Sequence, residues 1–269
     1  MLLTLSMTVV VFFCLYLFLI APRKSKTINK FTKVKYAHRG LHNSERAENS
    51  MSAFLAAAEA GYGIEMDVRL SRDGKLVVFH DDTLERVCGV KGRVSEYTAY
   101  ELSKFSLNGT GEGIPLFSDV LAAIDGRVPL LVEIKQDTAN NDVSDATCEV
   151  LKKYEGPYLI ESFNPIAIKN VRKRLPNVDT GILSQRYFSY PKYRTVKFLI
   201  LQLLLHDFIS KPSFIAYDHR HSNIISLILI RTFFKTPMFT WTVRSQEEED
   251  IAYNNGFDAV IFENYIPKS

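Results

Sequence analysis

Gly63-Ile64-Glu65-Met66-Asp67-Val68 is the stretch whose reading decides the fold. Residues two apart on a strand share a face, so Ile64, Met66 and Val68 line one side while Glu65 and Asp67 line the other. The spacing recurs in Leu130-Leu131-Val132-Glu133-Ile134-Lys135, where an inward acid among apolar neighbours is costly unless something positive meets it. Outward from these two runs, short β-rich stretches alternate with helical patterns. Strands are expected at 34–38, 63–70, 76–80, 129–135, 158–163, 178–183, 214–218, 238–243 and 259–262. Helices are expected at 50–60, 118–124, 142–154, 165–175, 224–234 and 246–254, with Pro165 suited to a first helical turn. Such alternation predicts an α/β fold with a mainly parallel sheet, an eight-stranded TIM-type barrel. Nine candidates for eight places make one strand peripheral. The stretch 86–116, rich in Gly and polar residues, breaks the alternation and predicts a small insertion above the barrel mouth.

The chain has 269 residues, 46% hydrophobic and 23% charged, which suits one barrel-sized domain. A formal charge of +3 and a pI near 8.6 are too mild for a nucleic-acid partner, which needs basic residues gathered on one face. Cys14, Cys88 and Cys148 are odd in number and far apart, so free thiols are expected rather than disulfides or a zinc site.

The amino terminus differs in kind. No residue from Leu2 to Ala21 is charged, and Arg23, Lys24, Lys26, Lys30, Lys33 and Lys35 follow at once. The chain therefore divides into a transmembrane anchor over 1–22, a basic linker over 23–33 and a barrel domain over 34–269. The positive-inside bias then puts the barrel on the cytoplasmic side of a single-pass membrane protein. Two further stretches, 196–205 and 224–234, are apolar on almost every face yet too short to span a bilayer. They are expected either to dock on the membrane or to be covered by protein.

Chemistry-bearing residues fall at or near the ends of the strand candidates: His38, Glu65, Asp67, His80, Glu133 and Lys135. Strand ends on one side of a parallel barrel converge, so these distant groups can share one pocket. Glu65, Asp67 and Glu133 form a carboxylate set without a thiolate, which suits one divalent cation, Mg²⁺ or Ca²⁺, better than zinc. The competing reading is a buried ion pair of Glu65 or Glu133 with Lys135. Four aligned strand ends favour the site. His38 and His80 supply the acid and base that a phosphodiester requires, and Arg39 and Lys135 supply contacts to its phosphate. His42, His206, His219 and His221 are read as core or surface residues; the last two are a weak alternative metal pair.

The segments His38-Arg39-Gly40, Glu48-Asn49-Ser50, Glu65-Met66-Asp67-Val68, Asp73-Gly74, 77–84, Glu133-Ile134-Lys135, Ser162-Phe163 and Trp241-Thr242-Val243 resemble, in order and spacing, the glycerophosphodiester phosphodiesterase family. The resemblance covers roughly residues 34–264. It implies a barrel and metal-dependent hydrolysis of glycerophosphodiesters, from deacylated or lyso-phospholipids, to an alcohol and glycerol 3-phosphate. Carried across, His38 and His80 match the family's acid/base pair, Glu65, Asp67 and Glu133 its metal ligands, and Arg39 and Lys135 its phosphate contacts. Asn49 and Trp241 are carried across as substrate-binding positions, with a barrel-core role equally open for Trp241. The chain departs from the family pattern at Ala47-Glu48-Asn49-Ser50, at Arg244 and around Phe262-Glu263-Asn264, and the last two bear on specificity for the alcohol. The alternative function is a membrane-tethered barrel without catalysis that binds lipid head groups as a scaffold.

Overall fold

The computed structural model describes residues 2–268; Met1 and Ser269, end residues of the expected anchor and barrel segments, lie outside the described residues. Nine strands form: β1 Lys35–Ala37, β2 Gly63–Leu70, β3 Leu76–Val78, β4 Leu130–Ile134, β5 Tyr158–Ser162, β6 Thr180–Ser184, β7 Phe214–Asp218, β8 Met238–Val243 and β9 Ala259–Phe262. Eight of them run parallel in the order β1-β9-β8-β7-β6-β5-β4-β2, and pairing of β1 with β2 closes the barrel. β3 is the peripheral ninth, folded back antiparallel on the end of β2 through Val68, Arg69 and Leu70. The Asp73-Gly74 turn makes this possible, with Gly74 in the left-handed region at φ +73°.

The helices are α1 Leu2–Leu19, α2 Met51–Glu59, α3 Glu85–Cys88, α4 Ala99–Leu102, α5 Phe117–Ile124, α6 Asp142–Leu151, α7 Pro165–Arg174, α8 Val196–Gln202, α9 Asp207–Ser210, α10 Ile225–Leu229 and α11 Gln246–Asn254. Strand parity sorts the core. Ile64, Met66, Leu130, Val132 and Ile160 face out into the helix layer, while Tyr36, Leu131, Leu159, Phe214, Phe239 and Ile261 fill the barrel. Glu65, Asp67, Glu133, Glu161 and Trp241 share the inward parity and lie one step or more towards the carboxyl ends. Between β3 and α5, the short helices α3 and α4 close over a small core of their own, including Val87, Val94, Leu102, Leu107 and Ile114.

The amino-terminal segment departs from one expectation. α1 is a helix of 18 residues. Among the described residues, no helix is long and apolar enough to cross a membrane. Its carboxyl end is occupied by protein instead. Tyr16 Oη lies 2.9 Å from Ser226 Oγ, Phe18 packs on Phe208, and Ile20 is fully buried with Leu204, Leu227 and Ile230. The transmembrane anchor over 1–22 is therefore not supported. The basic stretch 23–33 packs on the barrel. Arg23 pairs with Asp179 at 3.9 Å, and Ile28 and Phe31 are buried against the barrel-interior cluster. Cys14, Cys88 and Cys148 are unpaired thiols.

Candidate active site

The site begins where β1 ends. His38 N–H donates to Phe262 O at 2.9 Å, which ties the histidine to the end of β9. The chain then turns sharply through Arg39 at φ +56° and Gly40 at φ +81°. A Cβ at Gly40 would stand 2.8 Å from the backbone carbon of Ala53, so only glycine lets the turn lie on α2. That turn aims the Arg39 N–H at Glu65 Oε2, 2.8 Å away. The Arg39 guanidinium donates to Glu48 Oε1 at 2.7 Å and lies 3.5 Å from Asp67 Oδ2.

On the neighbouring strands, Asp67 is in register with Glu133, and Glu133 with Glu161. Glu65, Asp67 and Glu133 each present an oxygen within 4.8 Å of the others, all three buried. Among the described residues, no other group of three His, Cys, Asp or Glu side chains converges this way. His219 and His221 face Glu248 and Asp218 separately, so they form no rival metal site. Lys135 Nζ reaches Glu133 Oε1 at 2.7 Å and Asp67 Oδ1 at 3.0 Å.

The charges do not balance. Burial, then the neighbouring Asp67 and Glu133, pushes the Glu65 carboxyl well above its ordinary range, and burial pushes Glu133 up to about 7. Burial acts against Asp67 as well, but Lys135, His80 and Arg39 overrule it and hold that carboxyl well below the usual range. Glu161, 1% exposed and with Oε2 unpartnered, is raised by burial and by Glu133. Ionised together, the four buried carboxyls would outweigh Lys135 and Arg39, an excess that protons or a hard cation can meet, and an all-oxygen donor set suits Mg²⁺ or Ca²⁺. The residues present thus fit a divalent ion.

Two imidazoles flank this cluster. His38 Nδ1 lies 3.0 Å from Glu263 Oε2 and its Nε2 lies 4.0 Å from Glu65 Oε2. His80 follows β3, its carbonyl held by Arg69 Nε at 2.8 Å and its Nδ1 2.6 Å from Asp81 Oδ1. Burial lowers both rings; Lys135 and Arg39 add to it at His80 against the pull of Asp67, taking that ring to about 4. A neutral ring that donates Nδ1–H to a carboxylate keeps its lone pair on Nε2. Asp81 also accepts from Arg86 at 2.5 Å, and Arg86 donates to Glu48, the partner of Arg39, so the two histidine loops are braced together.

A cavity of about 230 Å³ is bounded by His38, Arg39, Glu65, His80, Lys135 and Trp241, among others. A larger groove of about 880 Å³ shares His80, Glu133, Lys135 and Phe163 with it and continues along Tyr187, Tyr193, Phe198 and Leu201. Trp241 stands edge-on to Phe163, ring centres 5.5 Å apart, at the cavity wall. Asn49 is buried at 1% exposure and donates from Nδ2 to Asp67 Oδ2 at 2.8 Å, so it orients that carboxylate.

Sequence reasoning gave no role to Glu263, Asp81 or Glu161. Glu161 carried a usable signal, an acid near the end of the apolar run Tyr158-Leu159-Ile160, the same pattern that marked Glu133. Glu263 and Arg244, noted only as departures, turn out to face each other at 3.3 Å beside His38.

The family model described as glycerophosphoryl diester phosphodiesterase matches residues 38–266. A glycerophosphodiester phosphodiesterase of Caldanaerobacter subterraneus is 28% identical over 236 residues, 84% of this chain and 91% of that protein. Human lysophospholipase D GDPD1 is 29% identical over 143 residues, 48% of this chain and 44% of that protein. An Oleispira antarctica phosphodiesterase, solved with its product sn-glycerol-3-phosphate, superposes with a TM-score of 0.73 at 23% identity, covering 87% of this chain and 94% of that one. The glycerophosphodiester phosphodiesterase of Thermotoga maritima gives 0.67 at 25% identity, covering 85% and 94%. The family match starts at His38 and runs past Glu263, so it takes in every residue of the site, and the chain belongs to the glycerophosphoryl diester phosphodiesterase family of phosphoric diester hydrolases.

Proposed function

We propose that this chain hydrolyses glycerophosphodiesters to an alcohol and glycerol 3-phosphate by histidine acid/base catalysis with one divalent cation. The observation that carries the reading is the gathering of Glu65, Asp67 and Glu133 within 4.8 Å, with neutral imidazoles on either side. A hard cation held by these carboxylates would supply Lewis-acid polarisation of the phosphoryl oxygens. Lys135 and Arg39 contact the same oxygens and offset the charge that builds there. One imidazole takes a proton from water as its oxygen bonds to phosphorus. The other gives a proton to the departing alcohol oxygen as the second P–O bond breaks. The family's activity and the intact set of both histidines and all three acids favour this over a non-catalytic scaffold.

The substrate range extends to lyso-phospholipids. Support comes from the groove beyond the reacting centre, whose wall of Tyr187, Tyr193, Phe198 and Leu201 suits a hydrocarbon chain better than a small polar alcohol. The relative that is named a lysophospholipase D is consistent with that extension. Membrane association follows from α1, whose Met7, Val9, Val10, Val11 and Phe12 are exposed.

The test is release of glycerol 3-phosphate from glycerophosphocholine, and of the acylated product from 1-acyl lysophosphatidylcholine, before and after chelation and re-addition of each ion. The His80→Ala protein should lose about 10²–10⁴ of the rate. A variant as active as the parent sinks the acid/base assignment, and activity indifferent to chelator sinks the metal.

A further inference from the structure

Two of the outer helices carry dense charge. α7 carries Lys169, Arg172, Lys173 and Arg174, and α11 opens Gln-Glu-Glu-Glu-Asp. The sector made by α8, α9 and α10 is different. Val196 is 74% exposed, Ile225 52% and Phe233 54%, with Ile200, Phe208 and Ile228 also exposed. Phe233 belongs to a π-helical turn, Ile230–Phe234, that extends α10 and buries Ile230 while leaving Phe233 outside. The three helices form one surface. Ser226 Oγ on α10 donates to Leu203 O, one residue beyond α8, and Phe208 and Phe233 meet Phe18 and Phe13 of α1. The apolar sector is thus continuous with the exposed side of α1.

Charge says what covers it. Between residues 186 and 235 lie eight Lys and Arg, namely Arg186, Lys192, Arg194, Lys197, Lys211, Arg220, Arg231 and Lys235. The only acids in that stretch, Asp207 and Asp218, are buried, and only Arg220 among the eight pairs with one of them, Asp218 at 2.6 Å. A two-fold dimer through this face would set basic rim against basic rim, because an isologous interface meets its own copy. An anionic bilayer meets both features: hydrocarbon takes the apolar side chains and head groups take the lysines and arginines. From these we infer that the α8–α10 sector is a docking face for an anionic lipid surface, separate from α1. The face adjoins the groove, since α8 turns Lys197, Phe198 and Leu201 towards it while Val196 and Ile200 point outward. A chain-bearing diester, the substrate class proposed above, then reaches the site along α8 without crossing water. The docking itself does not depend on that substrate reading.

The experiment uses the full chain and vesicles of phosphatidylcholine, alone or mixed with phosphatidylglycerol. Single tryptophans are introduced by Val196→Trp, Ile225→Trp and, as a control on the charged α11, Ile251→Trp, against the constant background of Trp241. With brominated acyl chains in the anionic vesicles, emission at 196 and 225 is quenched and emission at 251 is not. Joint Lys192→Glu and Lys235→Glu weakens binding to anionic vesicles by about tenfold or more, and hydrolysis of glycerophosphocholine in solution is unchanged. No quenching at 196 and 225 in protein that still sediments with vesicles means that α1 is the sole tether, and the inference fails. It fails equally if the protein is a dimer without lipid and Ile225→Glu makes it monomeric, since a second copy is then the occupant.

Discussion

Glu263 stands to His38 as Asp81 stands to His80: each carboxylate accepts a hydrogen bond from Nδ1–H and leaves Nε2 towards the cavity. Such a group acts through the ring it holds, so its loss lowers kcat more than it raises KM. Glu263→Gln keeps an acceptor and costs on the order of tenfold in kcat; Glu263→Ala loses it and costs on the order of a hundredfold. Steady-state kinetics on glycerophosphocholine reads the split. The same bond has a stability signature. The hydrogen bond from His38, with further help from Arg244, holds the Glu263 carboxyl at about 2, below its ordinary 4.5. A carboxyl depressed on folding stabilises the protein above its unfolded value, and that contribution drains as pH falls through the folded one. The thermal midpoint of the parent should therefore exceed that of Glu263→Gln at pH 6, and the gap should close between about pH 4.5 and 2. An unchanging gap would assign Glu263 a packing role only. Legibility at this scale was uneven. Glu65, Asp67 and Glu133 were readable because an acid inside an apolar strand is an expense needing a reason, whereas Glu263 lies past its strand's end, where a charge is unremarkable.

Turns and caps between elements do the aiming that strands alone cannot. Gly40→Ala places a side chain at φ +81° and 2.8 Å from the backbone of α2, so it should destabilise the fold by roughly 2–5 kcal/mol. It should also loosen the Arg39 N–H from Glu65, and a urea titration alongside ion affinity would show both. Ser50, the departure in the Ala47-Glu48-Asn49-Ser50 segment, accepts from Ala53 N–H and caps α2. Ser50→Thr keeps that cap and should be near neutral, while Ser50→Ala should cost about 1 kcal/mol. The strands were legible because hydrophobic runs bounded by turns mark them whatever their tertiary role, and every one but β6, which ends one residue later, falls within the expected bounds. That β3 is the strand outside the barrel was not legible, because its antiparallel return depends on the Asp73-Gly74 turn and not on the pattern of Leu76-Val77-Val78. The amino-terminal segment misled for a related reason. Hydropathy marks α1 as apolar but says nothing of what takes up that surface: Ile20, just past its end, is buried in protein, whereas Met7, Val9, Val10, Val11 and Phe12 are exposed.

For the whole molecule, the decisive quantity is the crowding of carboxyl groups at the mouth of an otherwise apolar barrel. Folding must bring Glu65, Asp67, Glu133 and Glu161 together out of water, with Lys135 and Arg39 as the fixed cations among them. Strain of that kind is relieved by any ligand that binds the folded site and not the unfolded chain. At a concentration 100 times its dissociation constant, one bound ion contributes about 2.7 kcal/mol. For a domain of this size that amounts to a rise of about 5–10 °C in the thermal midpoint. Calorimetry of the chelated protein, titrated separately with Mg²⁺ and Ca²⁺, should show such a rise for at least one of them. Glu133→Gln removes one donor and frees Lys135 from one of its two partners. It should raise the midpoint of the ion-free protein, by easing the crowding of charge, and abolish most of the rise on adding ion. A parent midpoint indifferent to both ions would mean that Lys135 and Arg39 already balance the cluster, and that the four carboxyls are held by protein alone.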